Sequence, residues 1–211
     1  MEIWGCDVPQ FHFGDLWRFC SVAVLRSVEL GEPVAANFRD SGTESLAREI
    51  LAEFDSMGRV AAVQLPPVRI CRIQQLAPTV STRVRWCGDK TRRQFGYQFD
   101  GIAGAAEKNP PESEVIWFLA EMKQRGLEPV RLGKHLGVHG SVEAVSQCSF
   151  FIGACSGLAQ VAYSVGVPAV ILRYRQTKID LKIWHGQKAL GFALGLPHFV
   201  QGFLPALVRA R

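Results

Sequence analysis

Short apolar runs alternate along this chain with longer stretches in which apolar residues recur every three or four positions. The runs Met1–Cys6, Val34–Asn37, Val60–Leu65, Phe95–Phe99, Glu128–Leu132, Ser149–Gly153 and Ala169–Leu172 predict strands. Several are apolar throughout, as strands buried on both faces must be. The periodic stretches predict helices over Leu16–Leu30, Ser41–Phe54, Glu112–Arg125, Ser141–Gln147 and Leu158–Val165. In the first, Leu16, Phe19, Cys20, Ala23, Val24 and Val28 follow a near-3.6 period, and Asp15 is placed to cap it. Gly133–Gly140 reads as a loop, and Gly186–Gly195 and Phe203–Arg209 read as helices. Val68–Gln94 lacks strong periodicity and reads as linker or irregular strand. Strand and helix alternate in both halves, the signature of parallel sheets joined by crossovers, so the predicted class is α/β.

The most informative stretch is Cys148–Leu172, CSFFIGACSGLAQVAYSVGVPAVIL. It predicts strand, small-residue turn, helix and strand, with Gly166 and Pro168 ending the helix. Such a turn lies at the carboxyl edge of a parallel sheet, where ligands bind in open α/β folds. Ser156 and Gly157 at the helix start offer N–H groups and the positive end of the helix dipole to an anion. The competing reading is that Ser156 caps the helix and Gly157 relieves crowding.

Composition narrows the choice. The 211 residues are 48% hydrophobic, enough for a substantial core, and no apolar run is long enough to cross a bilayer. The first residues lack a basic, then apolar, leader pattern, which argues against a signal peptide. Six scattered cysteines without a CxxC pair suit reduced thiols in a cytoplasmic setting. The net charge is +5, and much of the excess falls in Arg69–Arg93. That stretch suits an anionic partner: a diphosphate, or a membrane surface touched peripherally. Aromatics are not interleaved with the charges, which argues against a specific nucleic-acid surface. A solvated basic face is the plainer alternative.

The segment FFIGACSGLAQVAYSVGVPAVIL resembles the carboxyl-terminal nucleotide-sugar motif of GT-B glycosyltransferases, in the heptosyltransferase-like branch (family 9-like). There a strand leads into Ile-Gly-x-x-Ser-Gly, a helix, and Gly-x-Pro. FGDLWRFCSVAVLRSVELGEPV resembles the same branch's first helix, which opens on Gly-Asp. The branch has Asp before Ser-Gly and His three residues after it; this chain has Cys155 and Gln160. The chain is also shorter than a usual two-lobed transferase of this type. The resemblance implies two Rossmann-like parallel-sheet units in a compact GT-B arrangement. Residues 1–93 would form the acceptor-side unit, and residues 94–211 the unit that binds the nucleotide sugar.

The same resemblance assigns roles. Asp15 matches the carboxylate that acts as general base, taking the acceptor hydroxyl proton as the anomeric carbon is attacked. Lys108, Ser156, Gly157 and Gln160 would bind the donor, stabilising the departing diphosphate with charge and N–H groups, and Arg173 would reach it by its place after the next strand at the same carboxyl edge. The implied activity is metal-independent transfer of a sugar from a nucleotide-sugar donor to a glycan, lipid-linked or protein acceptor. No cofactor is implied. The alternative is a non-catalytic nucleotide- or sugar-phosphate-binding module of the same fold. His135 and His139 are four apart, a metal-binding spacing only on a helix; the glycines around them favour a loop, so no metal site is expected. Cys155 has no identifiable His partner for nucleophilic chemistry.

Overall fold

The computed structural model describes residues 3–6, 12–38, 41–54, 59–63, 69–71, 80–89, 91–100, 109–154, 156–172 and 189–209. Two parallel sheets organise them. The first contains β1 (Ile3–Cys6), β2 (Val34–Asn37), β3 (Val60–Val63) and β4 (Arg69–Cys71) in the order β3-β2-β1-β4. The second contains β5 (Gln94–Gln98), β6 (Glu128–Arg131), β7 (Phe151–Ala154), β8 (Ala169–Leu172) and β9 (Ala189–Ala193) in the order β6-β5-β7-β8-β9. All named strand pairs run parallel, as the alternation of strand and helix predicts. The helices are α1 (Phe13–Leu30), α2 (Ser41–Ala52), α3 (Glu112–Gln124), α4 (Gly137–Ser146), α5 (Gly157–Val165) and α6 (Leu204–Arg209).

The second sheet is covered on both faces, and its side chains divide by the two-residue period of a strand. Phe151, Ala169 and Ile171 face a core that contains α1, α2, α4 and α5. Ile152, Val170 and Leu172 face the opposite core, with Phe95, Phe118, Phe150, Phe199 and Leu204. That second core is aromatic: Phe95 stacks on Phe150 at 5.2 Å and meets Phe118 edge-on at 5.8 Å. Helices belonging to the two sheets thus share one continuous core.

α1 lies at its centre. Trp17, Phe19 and Cys20 are fully buried, and Trp17 Nε1–H donates to Ser164 Oγ of α5 at 2.9 Å. Trp17 also meets Phe54 edge-on at 5.2 Å, and Phe19 meets Phe38 at 5.6 Å. Gly31 adopts the left-handed conformation that closes the helix.

The structure decides one open expectation and revises three. Part of Val68–Gln94 is structured: Arg69–Cys71 is the edge strand β4, and residues 80–86 form a strap across the helices. In that strap Thr82 N–H donates to Ser164 O, Arg83 N–H to Glu53 O, and Trp86 Nε1–H to Cys148 O. Gly133–Gly140 is a short 3₁₀ turn, Lys134–Leu136, running into α4, so His139 is helical. Within the expected helix Gly186–Gly195, Ala189–Ala193 pairs with β8 as a strand. The terminal helix begins earlier than expected: Leu196–His198 and a π-helical turn, Phe199–Phe203, precede α6. Cys20 and Cys148 are buried thiols whose pKa burial pushes up, Cys148 to about 12, whereas Cys87 is exposed.

Candidate functional site

The amino ends of α1 and α5 meet. α1 starts at Phe13, three residues before the expected start, with His12 as its capping position. Asp15 is therefore the third helical residue and not the cap. Its carboxylate accepts the backbone N–H of His12, while Leu16 N–H donates to His12 O at 2.9 Å. This is the back-reaching half of a capping box. Burial raises the Asp15 pKa above its ordinary value of 3.8, against the opposing pull of His12 and Arg18.

α5 begins at Gly157, with Ser156 in extended conformation before it. A methyl group built on Gly157 would lie 2.8 Å from Gly14 N and 3.2 Å from Gly14 Cα, and would also strike the Phe13 ring. Conversely, one built on Gly14 would lie 3.0 Å from Gly157 Cα. Only glycine at both positions permits this approach. The contact brings the amino ends of α1 and α5 together, and Asp15, the residue after Gly14, folds its carboxylate back onto the α1 terminus.

Ser156 does not cap α5 with its side chain. Its hydroxyl donates instead to Gln98 Oε1. Gln98 ends β5, in register with Gly153 of β7, and a methyl on Gly153 would lie 2.6 Å from the Gln98 carbonyl oxygen. The missing side chain lets β5 carry Gln98 to the carboxyl edge beside Ser156. With its oxygen occupied, the Gln98 carboxamide keeps two N–H donors. Nothing in the sequence marked Gln98 beyond a polar residue at the end of an apolar strand.

The structure thus brings together Asp15, Ser156 and Gly157, with Gln98 beside them. Gln160 lies one turn into α5, 4% exposed and engaged within the protein. Lys108, Cys155, Arg173 and His185 lie outside the described residues. In the basic stretch, Arg83 Nε donates to Phe54 O at 3.2 Å, and Arg92 bonds Ser146 O at 3.4 Å and the Gln147 side chain. Arg72 and Lys90 lie outside the described residues. Among the described residues no group of three or more His, Cys, Asp or Glu side chains is arranged to hold a metal ion. No helix among them is long and apolar enough to cross a membrane.

No protein-family model and no curated protein sequence matches the chain. Solved structures do. ADP-heptose LPS heptosyltransferase II of E. coli superposes with a TM-score of 0.67 at 12% identity, over 100% of this chain and 99% of that one. The fold is that of the GT-B, heptosyltransferase-like glycosyltransferases. The iron-containing dodecameric glycosyltransferase TibC of enterotoxigenic E. coli matches 81% of the chain with a TM-score of 0.58 and 13% identity. A second TibC structure, solved with ADP-D-β-D-heptose, matches equally well. This chain spans 57% of TibC's length.

Proposed function

We propose that this protein transfers a sugar from a nucleotide-sugar donor to an acceptor hydroxyl, with inversion, without a metal, and with Asp15 as general base. The observation that carries the reading is the Gly14–Gly157 approach, which brings the end of α1 that carries Asp15 against the amino end of α5. In this proposal residues 94–211 hold the donor and residues 1–93 face the acceptor. The α5 terminus, Ser156 and Gln98 receive the diphosphate, and Lys108 and Arg173 supply its counter-charge. N–H donors aimed at the leaving group lower the barrier because charge builds there in the transition state. Burial raises the proton affinity of Asp15, which makes it a stronger base toward an acceptor hydroxyl. The ADP-heptose bound to TibC makes ADP-linked sugars the first donors to try. Glycan, lipid-linked and protein acceptors all remain within the proposal. In the basic stretch, charge beyond what Arg83 and Arg92 spend on the chain's own carbonyls would attract an anionic acceptor or membrane surface.

A second reading has its own support. Phe13 and Gly14 already lie against Gly157, and Cys155 and Gln160 stand where the related branch has Asp and His. Both features suit a module that binds nucleotide or sugar phosphate without catalysis. Thermal-shift measurements with a panel of nucleotides and nucleotide sugars, ADP-heptose first, test the binding step common to both. Ligand at 100 times Kd stabilises the native state by about 2.7 kcal/mol, which raises Tm by several degrees. No shift with any member at millimolar concentration would remove both readings. Binding without transfer to any acceptor would select the module.

A further inference from the structure

A second cluster of titratable groups lies where the end of α2 meets α4, and the proposed transfer does not use it. Glu53 follows α2, and its carboxylate side chain is only 9% exposed. Glu53 Oε1 sits 3.0 Å from His139 Nδ1 on α4. The other ring nitrogen, Nε2, sits 3.3 Å from Glu143 Oε1, one turn along α4. His139 and Glu143 are themselves well exposed, at 66% and 60%. A neutral imidazole carries one N–H and presents a lone pair from its other nitrogen. Both nitrogens of His139 face carboxylate oxygens, so both bonds form only when the ring carries two protons.

We propose that His139 is a proton-dependent clasp between α2 and α4, closed when both ring nitrogens are protonated and loosened when one proton leaves. α2 belongs to the first sheet's half of the chain and α4 to the second's. Within their shared core α1, which carries Asp15, packs against α2 and α5. The state of the clasp therefore biases how firmly the helices of one sheet sit on those of the other.

The two arms differ. Glu53 is screened from water and depends on the Nδ1–H; Glu143 is solvated and is released first. The charged groups facing the ring among the described residues are Glu53 from the end of α2 and Glu143 on α4 itself. Arg83, which bonds the Glu53 carbonyl through its backbone N–H, directs its guanidinium to the Phe54 carbonyl. Hydrogen bonding and charge from Glu53, then charge from Glu143, hold the His139 pKa above its ordinary value of 6.5. The stabilisation is fully present below 6.5 and is lost as pH rises through the raised value.

The test combines an NMR titration of the His139 ring with amide hydrogen exchange across the last turn of α2 and α4, corrected for intrinsic rates. Wild type, Glu53→Gln and His139→Gln are compared; the last changes an exposed side chain and keeps the variant set interpretable if Glu53→Gln folds poorly. The wild-type ring is expected to titrate above its ordinary midpoint, and in Glu53→Gln to return toward it. Protection at the end of α2 should fall as pH rises through the wild-type midpoint. The fall should be about tenfold for each pH unit by which the closed midpoint exceeds the opened one. In His139→Gln protection should be flat across the same range. An ordinary midpoint for His139, or α2 and α4 protection indifferent to its titration, overturns the clasp.

Discussion

Gly157→Ala adds a single methyl group where α1 and α5 touch. That methyl would lie 2.8 Å from Gly14 N and 3.2 Å from Gly14 Cα, so backbone, not a pliant side chain, must give way. Overpacking of this kind costs about 1–3 kcal/mol. Alanine's better helix preference returns at most about 1 kcal/mol. Gly157 is the first residue of α5, where that return is small, so the net loss stays at about 1–3 kcal/mol, which for a chain of this size lowers Tm by roughly 2–12 °C. Gly140→Ala is the matched control. It lies within α4, where the nearest atom to an added methyl is Leu136 Cβ at 3.6 Å, so the helix preference acts alone and Tm should rise slightly. Thermal denaturation followed by circular dichroism reads both. A Gly157→Ala protein as stable as wild type would show that the two helix ends do not meet, and the site built on that contact would lose its basis.

Trp17→Phe removes the N–H that satisfies Ser164 Oγ in the buried α1–α5 contact, and should cost about 1–3 kcal/mol in denaturant unfolding; a loss no larger than that of an exposed substitution would contradict the bond. Gln98→Glu keeps an acceptor for the Ser156 hydroxyl but sets negative charge beside the α5 terminus, so ADP affinity by calorimetry should fall at least about tenfold. Unchanged affinity in a folded Gln98→Glu protein would remove Gln98 from the diphosphate site. Because burial raises the Asp15 pKa, the native state holds its proton more tightly than the unfolded chain between 3.8 and the raised value. Its contribution to stability is therefore most favourable below that window and declines as pH rises through it. Asp15→Asn should then be at least as stable as wild type at pH 7, with the advantage shrinking toward pH 4; the reverse trend in Tm would refute the burial argument.

Local pattern made much of the fold legible. β7, α5 and β8 are marked by apolar runs, a small-residue turn and Gly166, all signals within a few residues of their effect. β4 is different, because Arg69–Cys71 is three residues long and becomes a strand only by pairing with β1. Ala189–Ala193 contains residues that suit a helix, and its pairing with β8 overrides that preference. The amino end of α4 was hidden by Gly137 and Gly140, which read as breakers. Gly137 instead opens the helix with φ of 65°, and its carbonyl accepts the Ser141 hydroxyl at 2.6 Å. The site divides similarly. Asp15 and Ser156-Gly157 were visible as helix-start chemistry. That Gly14 and Gly157 need each other's missing side chains was not, because the demand comes from a residue far away in the chain.

The central claim is that Asp15 acts on the acceptor proton while the α5 terminus holds the donor. The most direct measurement is sugar transfer from a labelled nucleotide sugar by wild type and Asp15→Asn under saturating donor, with donor binding measured separately. A base acts in the transition state far more than in donor binding. Asp15→Asn should therefore bind donor within a few-fold of wild type while turnover falls by about 10²–10⁴. Equal turnover by the two proteins would contradict the account.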